Sequence, residues 1–209
     1  MQGQSIKTQV YEGILKDILD GVYQANEIIN EKNLIDKYQV SKTPVREALV
    51  QLCGEGVLNN IPRFGYQLSL ITPGEIIETI EFRKIIEVGA LERCFDKISE
   101  AQLNELRELN EQAAKIIECQ DIKAHWDQNQ KFHKALCGFC GNRYLQKSLN
   151  DSLRLCTLIA NQYFLKVWEN KEEGDYDHFK LVEAIEDGDF ERAKEILVYD
   201  IELMKNKIL

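Results

Sequence analysis

The sequence predicts a mainly α chain in two parts: three helices closed by a β-hairpin, then an all-α antiparallel helical bundle. Three observations predict it. Apolar residues recur at helical spacing up to Gly54, the pattern then shortens into two apolar runs around Pro62-Arg63-Phe64-Gly65, and helical spacing returns after Thr72. Charge divides at the same place: residues 1–73 hold seven Lys/Arg against eight Asp/Glu, and the rest hold 19 against 27. Thr72, with Pro73 at the first helical position and Glu75 at the third, is a capping box that starts a new helix. The expected domains are 4–72 and 73–209.

Taken in order, Val10, Ile14, Ile18 and Leu19 give a helix over about 6–19, ended by Asp20-Gly21. A second runs over about 31–38 with Leu34 and Ile35 inward, and Gln39-Val40 makes a tight connection. Ser41 offers an N-cap oxygen to a third helix, where Pro44 sits in the first turn and Val45, Ala48, Leu49 and Leu52 form the buried stripe. Strands are expected at 57–61 and 66–70. Three helices followed by such a hairpin form a winged helix-turn-helix. Beyond it, helices are expected over about 73–97, 100–118, 121–139, 143–169, 175–186 and 190–206, with Gly138, Gly141, Gly174 and Gly188 between them.

Composition narrows the function classes. The chain has 209 residues, 44% of them apolar, and no apolar run of membrane-spanning length. Its first residues lack the basic and apolar regions of a secretory signal, so a cytoplasmic protein with its six cysteines reduced is expected. A net charge of −9 argues against a nucleic-acid binder until it is divided. Residues 37–63 carry Lys37, Lys42, Arg46 and Arg63 against only Glu47 and Glu55, and phosphates respond to the nearby face.

The run Val40-Ser41-Lys42-Thr43-Pro44-Val45-Arg46-Glu47-Ala48-Leu49 follows Ile29-Asn30-Glu31-Lys32-Asn33-Leu34. It precedes Leu52-Cys53-Gly54-Glu55-Gly56-Val57-Leu58 and Pro62-Arg63-Phe64-Gly65-Tyr66. Together these closely resemble the DNA-binding domain of the GntR family of bacterial transcription regulators. Arg83-Lys84-Ile85-Ile86-Glu87 resembles the first effector-domain helix of its FadR subfamily, whose effector domain is of the FCD type. Ala25-Asn26 departs from the Pro-Gly turn usual there. The chemistry agrees: Ser41, Lys42 and Thr43 at a helix start suit phosphates, and Arg46 can fork onto guanine O6 and N7. Arg63 and Gly65 at the wing tip suit phosphate or minor-groove approach, where a side chain at position 65 is expected to clash.

The resemblance extends to a metal set. Asn129-Gln130-Lys131-Phe132-His133 resembles the subfamily helix that supplies an Asp and, four residues on, a His. His178 matches a further histidine, and Asp200 stands where the last histidine usually is. The ligand set is therefore Asn129, His133, His178 and Asp200, able to hold a divalent ion such as Zn, Ni or Mn. The alternative is a metal-free polar pocket in which His133 and His178 bind an effector directly. His125 reads as a surface or pocket-rim residue. Arg83 and Arg154 are candidates to meet a carboxylate effector. Cys137-Gly138-Phe139-Cys140 lacks a second ligand pair and reads as buried thiols.

What this implies is a metabolite-responsive regulator, read as a repressor, that binds a palindromic operator as a homodimer. Its effector is expected to be a small organic or sugar acid bound in the helical domain. Two other classes stay open at this point: a metal-dependent helical enzyme tethered to DNA, and a protein-interaction module. No His-Glu-x-x-His motif supports the first, and the basic 37–63 segment speaks against the second.

Overall fold

Helix α1 spans Ile6–Leu19, and the Ser5 hydroxyl accepts from the Thr8 amide to cap it. The computed structural model describes residues 5–24, 27–118, 122–163 and 176–209. Val10, Ile14, Leu15 and Ile18 bury the inner stripe of α1, so Leu15 takes a core place expected for Leu19. Helix α2, Glu31–Tyr38, is capped by Asn30 and ends on Gln39 in the left-handed region at φ 52°. That residue makes the tight turn into α3, Lys42–Gly54, whose buried stripe is Val45, Ala48, Leu49 and Leu52, as expected. Ser41 stands at the N-cap position of α3, but its side chain makes no cap hydrogen bond, contrary to expectation.

Strands β1, Leu58–Ile61, and β2, Gly65–Leu68, pair antiparallel with Leu58 opposite Leu68 and Ile61 opposite Gly65. The returning strand therefore starts one residue earlier than expected and leaves a three-residue loop. A bridge ties this wing to the segment before α2: the Ile29 amide donates to the Tyr66 carbonyl at 2.7 Å, and the Tyr66 amide returns one at 3.0 Å.

Residues Met1–Ile71 and Thr72–Leu209 form separate compact units. In the second, α4 covers Pro73–Cys94 and opens on the capping box: the Glu75 amide donates to Thr72 Oγ1, and the Thr72 amide to Glu75 Oε2. A 3-10 turn, Phe95–Lys97, takes the place of the helix's expected last turn. Ser99 and Gln102 repeat the reciprocal cap ahead of α5, Glu100–Glu118. Next come α6, Ile122–Phe139, and α7, Arg143–Gln162, the latter capped by Asn142. Helices α8, Tyr176–Glu186, and α9, Phe190–Ile208, complete the described bundle. The expected extension of α7 to 169, Ala25-Asn26, Gly174 and the helix starts at 121 and 175 lie outside the described residues.

Helix α4 packs against α6, α7 and α9, while α5 packs on α6 and α8, and α8 on α9. One core joins Ile86, Ala90 and Cys94 of α4 to Cys137, Cys140, Leu149 and Leu153. Its thiols are free, and burial pushes Cys137 up to about 12 and Cys94 to about 11. Such thiols stay protonated and unreactive at neutral pH. No helix among the described residues is long and apolar enough to cross a membrane.

Candidate functional site

Two constellations of charge emerge, one in each unit. In the first, Ser41, Lys42, Thr43 and Arg46 all face solvent from the first turns of α3. Their exposure follows from the buried stripe of Val45, Ala48, Leu49 and Leu52 on the opposite face. Glu31, at the start of α2, lies between the cations: Oε1 is 3.4 Å from Arg46 Nε, and Oε2 is 3.6 Å from Lys42 Nζ. Tyr66 of the wing also donates to Glu31 Oε1, at 3.3 Å. The hairpin tip holds Arg63, exposed and at φ 71°.

Gly65 answers to a close contact within the protein. Its φ is 138°, and a Cβ there would lie 2.6 Å from the Ile29 carbonyl oxygen. The glycine is thus demanded by the bridge between wing and α2, inside the protein itself.

The second constellation is buried. Spacing of four residues puts Arg83 and Glu87 on the inner face of α4, in the stripe that also holds Ile76, Ile80, Ala90 and Leu91. Arg83 Nε donates to Glu87 Oε1 at 2.7 Å, and the other carboxylate oxygen lies 2.6 Å from His133 Nδ1 on α6. His133 Nε2 in turn lies 3.0 Å from Asp200 Oδ2 on α9. The second oxygen of Asp200 is 3.4 Å from His178 Nε2, near the start of α8. Four helices thus supply one continuous chain of charge. Each of these side chains is less than a tenth exposed.

Burial alone would push the His133 imidazole down. The Glu87 carboxylate and the hydrogen bond to Asp200 outweigh burial and hold it up at about 9. Burial would likewise raise both carboxylates, yet Arg83 and then His133 keep Glu87 below its ordinary range. His178 and His133 do the same, more strongly, for Asp200. Arg83, Glu87, His133 and Asp200 are therefore ionised at neutral pH and offset one another in charge.

His178 stacks on Phe132 with ring centroids 4.0 Å apart and planes 10° apart, which fixes its orientation. Its Nε2 is buried and lies within ion-pair range of Asp200 but outside hydrogen-bond geometry, so it has no hydrogen-bond partner. One ligand atom each from His133, His178 and Asp200 lies within 4.8 Å of the other two. Two imidazoles and a carboxylate suit a borderline divalent ion, and an orphaned nitrogen aimed at the group fits one. Beside them opens a cavity of about 80 Å³, lined by Arg83, Trp126, Asn129, Met204 and Lys207 among others.

Of the expected set, Asn129, His133, Asp200 and Arg83 line this cavity, and His125 lines it too. Arg154 does not reach it. Its side chain is half exposed, 3.6 Å from Asp151, because α7 turns Leu153, Cys156 and Thr157 inward instead. Glu31 and Glu87 were not singled out by the sequence, nor were Trp126 and Lys207. A charge pair inside an apolar helical stripe was the available signal for Glu87.

Residues 6–67 match the model of the gntR family of bacterial regulatory proteins, and residues 78–203 match the FCD domain. The chain belongs to the GntR family. It carries the FCD domain of the FadR-like subfamily, and the family consists of DNA-binding transcription regulators rather than enzymes. An uncharacterized HTH-type transcriptional regulator of Bacillus subtilis, YdhC, is 31% identical over 72% of this chain and 69% of its own. The Escherichia coli HTH-type transcriptional repressor GlaR is 26% identical over 90% of this chain and 88% of its own. Among solved structures, a GntR regulator from Rhodococcus sp. RHA1 superposes with a TM-score of 0.82 at 19% identity, covering 98% of both chains. E. coli McbR/YncC gives 0.81 at 21% identity, over 96% of this chain and 95% of that one. These two show the winged-helix-plus-bundle fold.

Proposed function

We propose that this GntR regulator is a metabolite-responsive repressor that binds a palindromic operator as a homodimer. Residues 4–72 would be the DNA-binding domain and 73–209 the effector and dimerisation domain. Arg46 reads a base edge from the major groove, while Ser41, Lys42 and Thr43 hold phosphates at the start of α3. Arg63 approaches the backbone from the wing. The observation supporting this is the outward row of Ser41, Lys42, Thr43 and Arg46, two of whose cations flank the Glu31 carboxylate. GlaR, similar over nine-tenths of this chain, is named a repressor, and the reading of repression rests on that likeness.

In the bundle, His133, His178 and Asp200 hold a divalent ion of the Zn, Ni or Mn type, with Asn129 as a weaker fourth ligand. The ion supplies a Lewis-acidic centre for an anionic effector. Arg83 and Lys207 present positive charge to the same cavity, which favours a small organic acid. The alternative is a metal-free pocket. Its support is that His133 already bonds a carboxylate on each side without any ion.

The decisive experiment is operator release. A labelled fragment from the gene's own upstream region is bound by the full chain, and small carboxylates are added with zinc or with chelator. Release by an acid only in the presence of zinc supports the metal reading. Release insensitive to chelator supports the metal-free pocket, and no sequence preference at all overturns the regulator's proposed operator site.

A further inference from the structure

We propose that Glu87 is a positioning residue for the metal: it accepts the hydrogen bond that His133 Nδ1–H donates and so leaves Nε2 as the ligand atom. This rests on the metal reading given above. A neutral imidazole has one N–H and one lone pair, and the partner of the first decides where the second points. In this bundle Glu87 Oε2 lies 2.6 Å from Nδ1, and Nε2 lies 3.0 Å from Asp200 Oδ2 on the side of the ligand group, where a bound ion would displace its proton.

Glu87 does not belong to the ligand set itself. Its carboxylate is anchored from behind by Arg83 Nε at 2.7 Å, and Arg83 is held in turn near Cys156 Sγ at 3.9 Å. Both Arg83 and Glu87 are almost fully buried, so neither can swing away and the imidazole is held from its far side. A carboxylate behind a ligating histidine orients the ring and raises the basicity of the ligating nitrogen, and its loss typically weakens metal binding ~10–100-fold. The pair Arg83–Glu87 thus gives α4 a role in the site, although the three ligand side chains with charge or ring nitrogens come from α6, α8 and α9.

The test uses the full chain and zinc alone. Titration calorimetry on the wild type and on Glu87→Gln, which keeps size and removes charge, should show affinity falling about 10–100-fold. The second measurement needs no variant. The chain has only three histidines, so the imidazole ¹⁵N signals of zinc-loaded wild type can be assigned, and His133 should show a protonated Nδ1 and a ligating Nε2. Unchanged zinc affinity in Glu87→Gln, or ligation of zinc through His133 Nδ1, overturns the role of Glu87 alone. If the wild type takes up no zinc, the metal reading falls and this role with it. Should Glu87→Gln fail to fold, the wild-type spectrum decides.

Discussion

Glu31 and Glu87 are both carboxylates placed among cationic side chains on other turns or helices, and their surroundings make them opposites. Glu31 keeps about a fifth of its side chain in water and meets Lys42 and Arg46 at 3.4–3.6 Å, with both cations more than 60% exposed. Glu87 is 3% exposed and bonds Arg83 and His133 at 2.6–2.7 Å. The first arrangement is cheap to open, because exposed ion pairs contribute at most about 1 kcal/mol. Phosphates can replace Glu31 without dismantling the head. The second cannot open without leaving a buried charge alone. The first cluster is open to solvent, and the second is closed on itself.

The largest effect is expected at Glu87. Replacing it with Leu leaves Arg83 buried without its carboxylate, and urea denaturation should show a loss of about 3–5 kcal/mol. A loss below about 1 kcal/mol would mean that the pair is solvated in solution. Proton linkage comes next. His133 is held up at about 9, against 6.5 for a free imidazole, so its stabilising contribution is complete below about pH 6.5 and is lost as pH rises through 9. In metal-free protein, stability should therefore fall by up to about 3 kcal/mol across that window. The depressed carboxylates act on the other side: their contribution is present above the ordinary carboxylate range and is lost in acid. Stability rising between pH 6.5 and 9 would contradict the buried cluster.

In the head the effects are smaller and show in DNA binding. Arg46→Ala should cost about 1–3 kcal/mol on the cognate operator and relax base choice at one position per half-site, as read by fluorescence anisotropy on operator variants. An even loss across all sequences would assign Arg46 to phosphate. Glu31→Gln is the smallest. It should change folding stability by less than about 1 kcal/mol while steepening the salt dependence of non-specific binding, because a competing carboxylate is gone. Stability falling as far as in Glu87→Leu would erase the distinction between the two clusters.

How much of this was legible depended on how far along the chain each cause lies. Helix limits, the Thr72 and Ser99 capping boxes and the stripe of α3 are set by residues within four positions of one another, and periodicity displays them. The i,i+4 pairing of Arg83 with Glu87 was equally local. What pairs Glu87 with His133 is the packing of α4 on α6 across 46 residues, and nothing in the local pattern carries that. Gly65 shows the same limit. Its position at the wing tip was plain, but its cause, the carbonyl of Ile29, comes from the segment before α2. Arg154 read like Arg83 in sequence, and only the rotation of α7 separates an exposed guanidinium from a buried one.

If the closed cluster of the bundle is a metal site rather than a structural ion pair, the chain takes up a divalent ion there. Zinc titration of the full-length wild type, beside His133→Ala and His178→Ala, tests it most directly, since two imidazoles are the strong ligands of the set. One ion per chain is expected in the wild type and none in either variant. Asn129→Asp should bind the ion more tightly by adding a charged oxygen to the cavity. No zinc uptake by the wild type or by Asn129→Asp would contradict it.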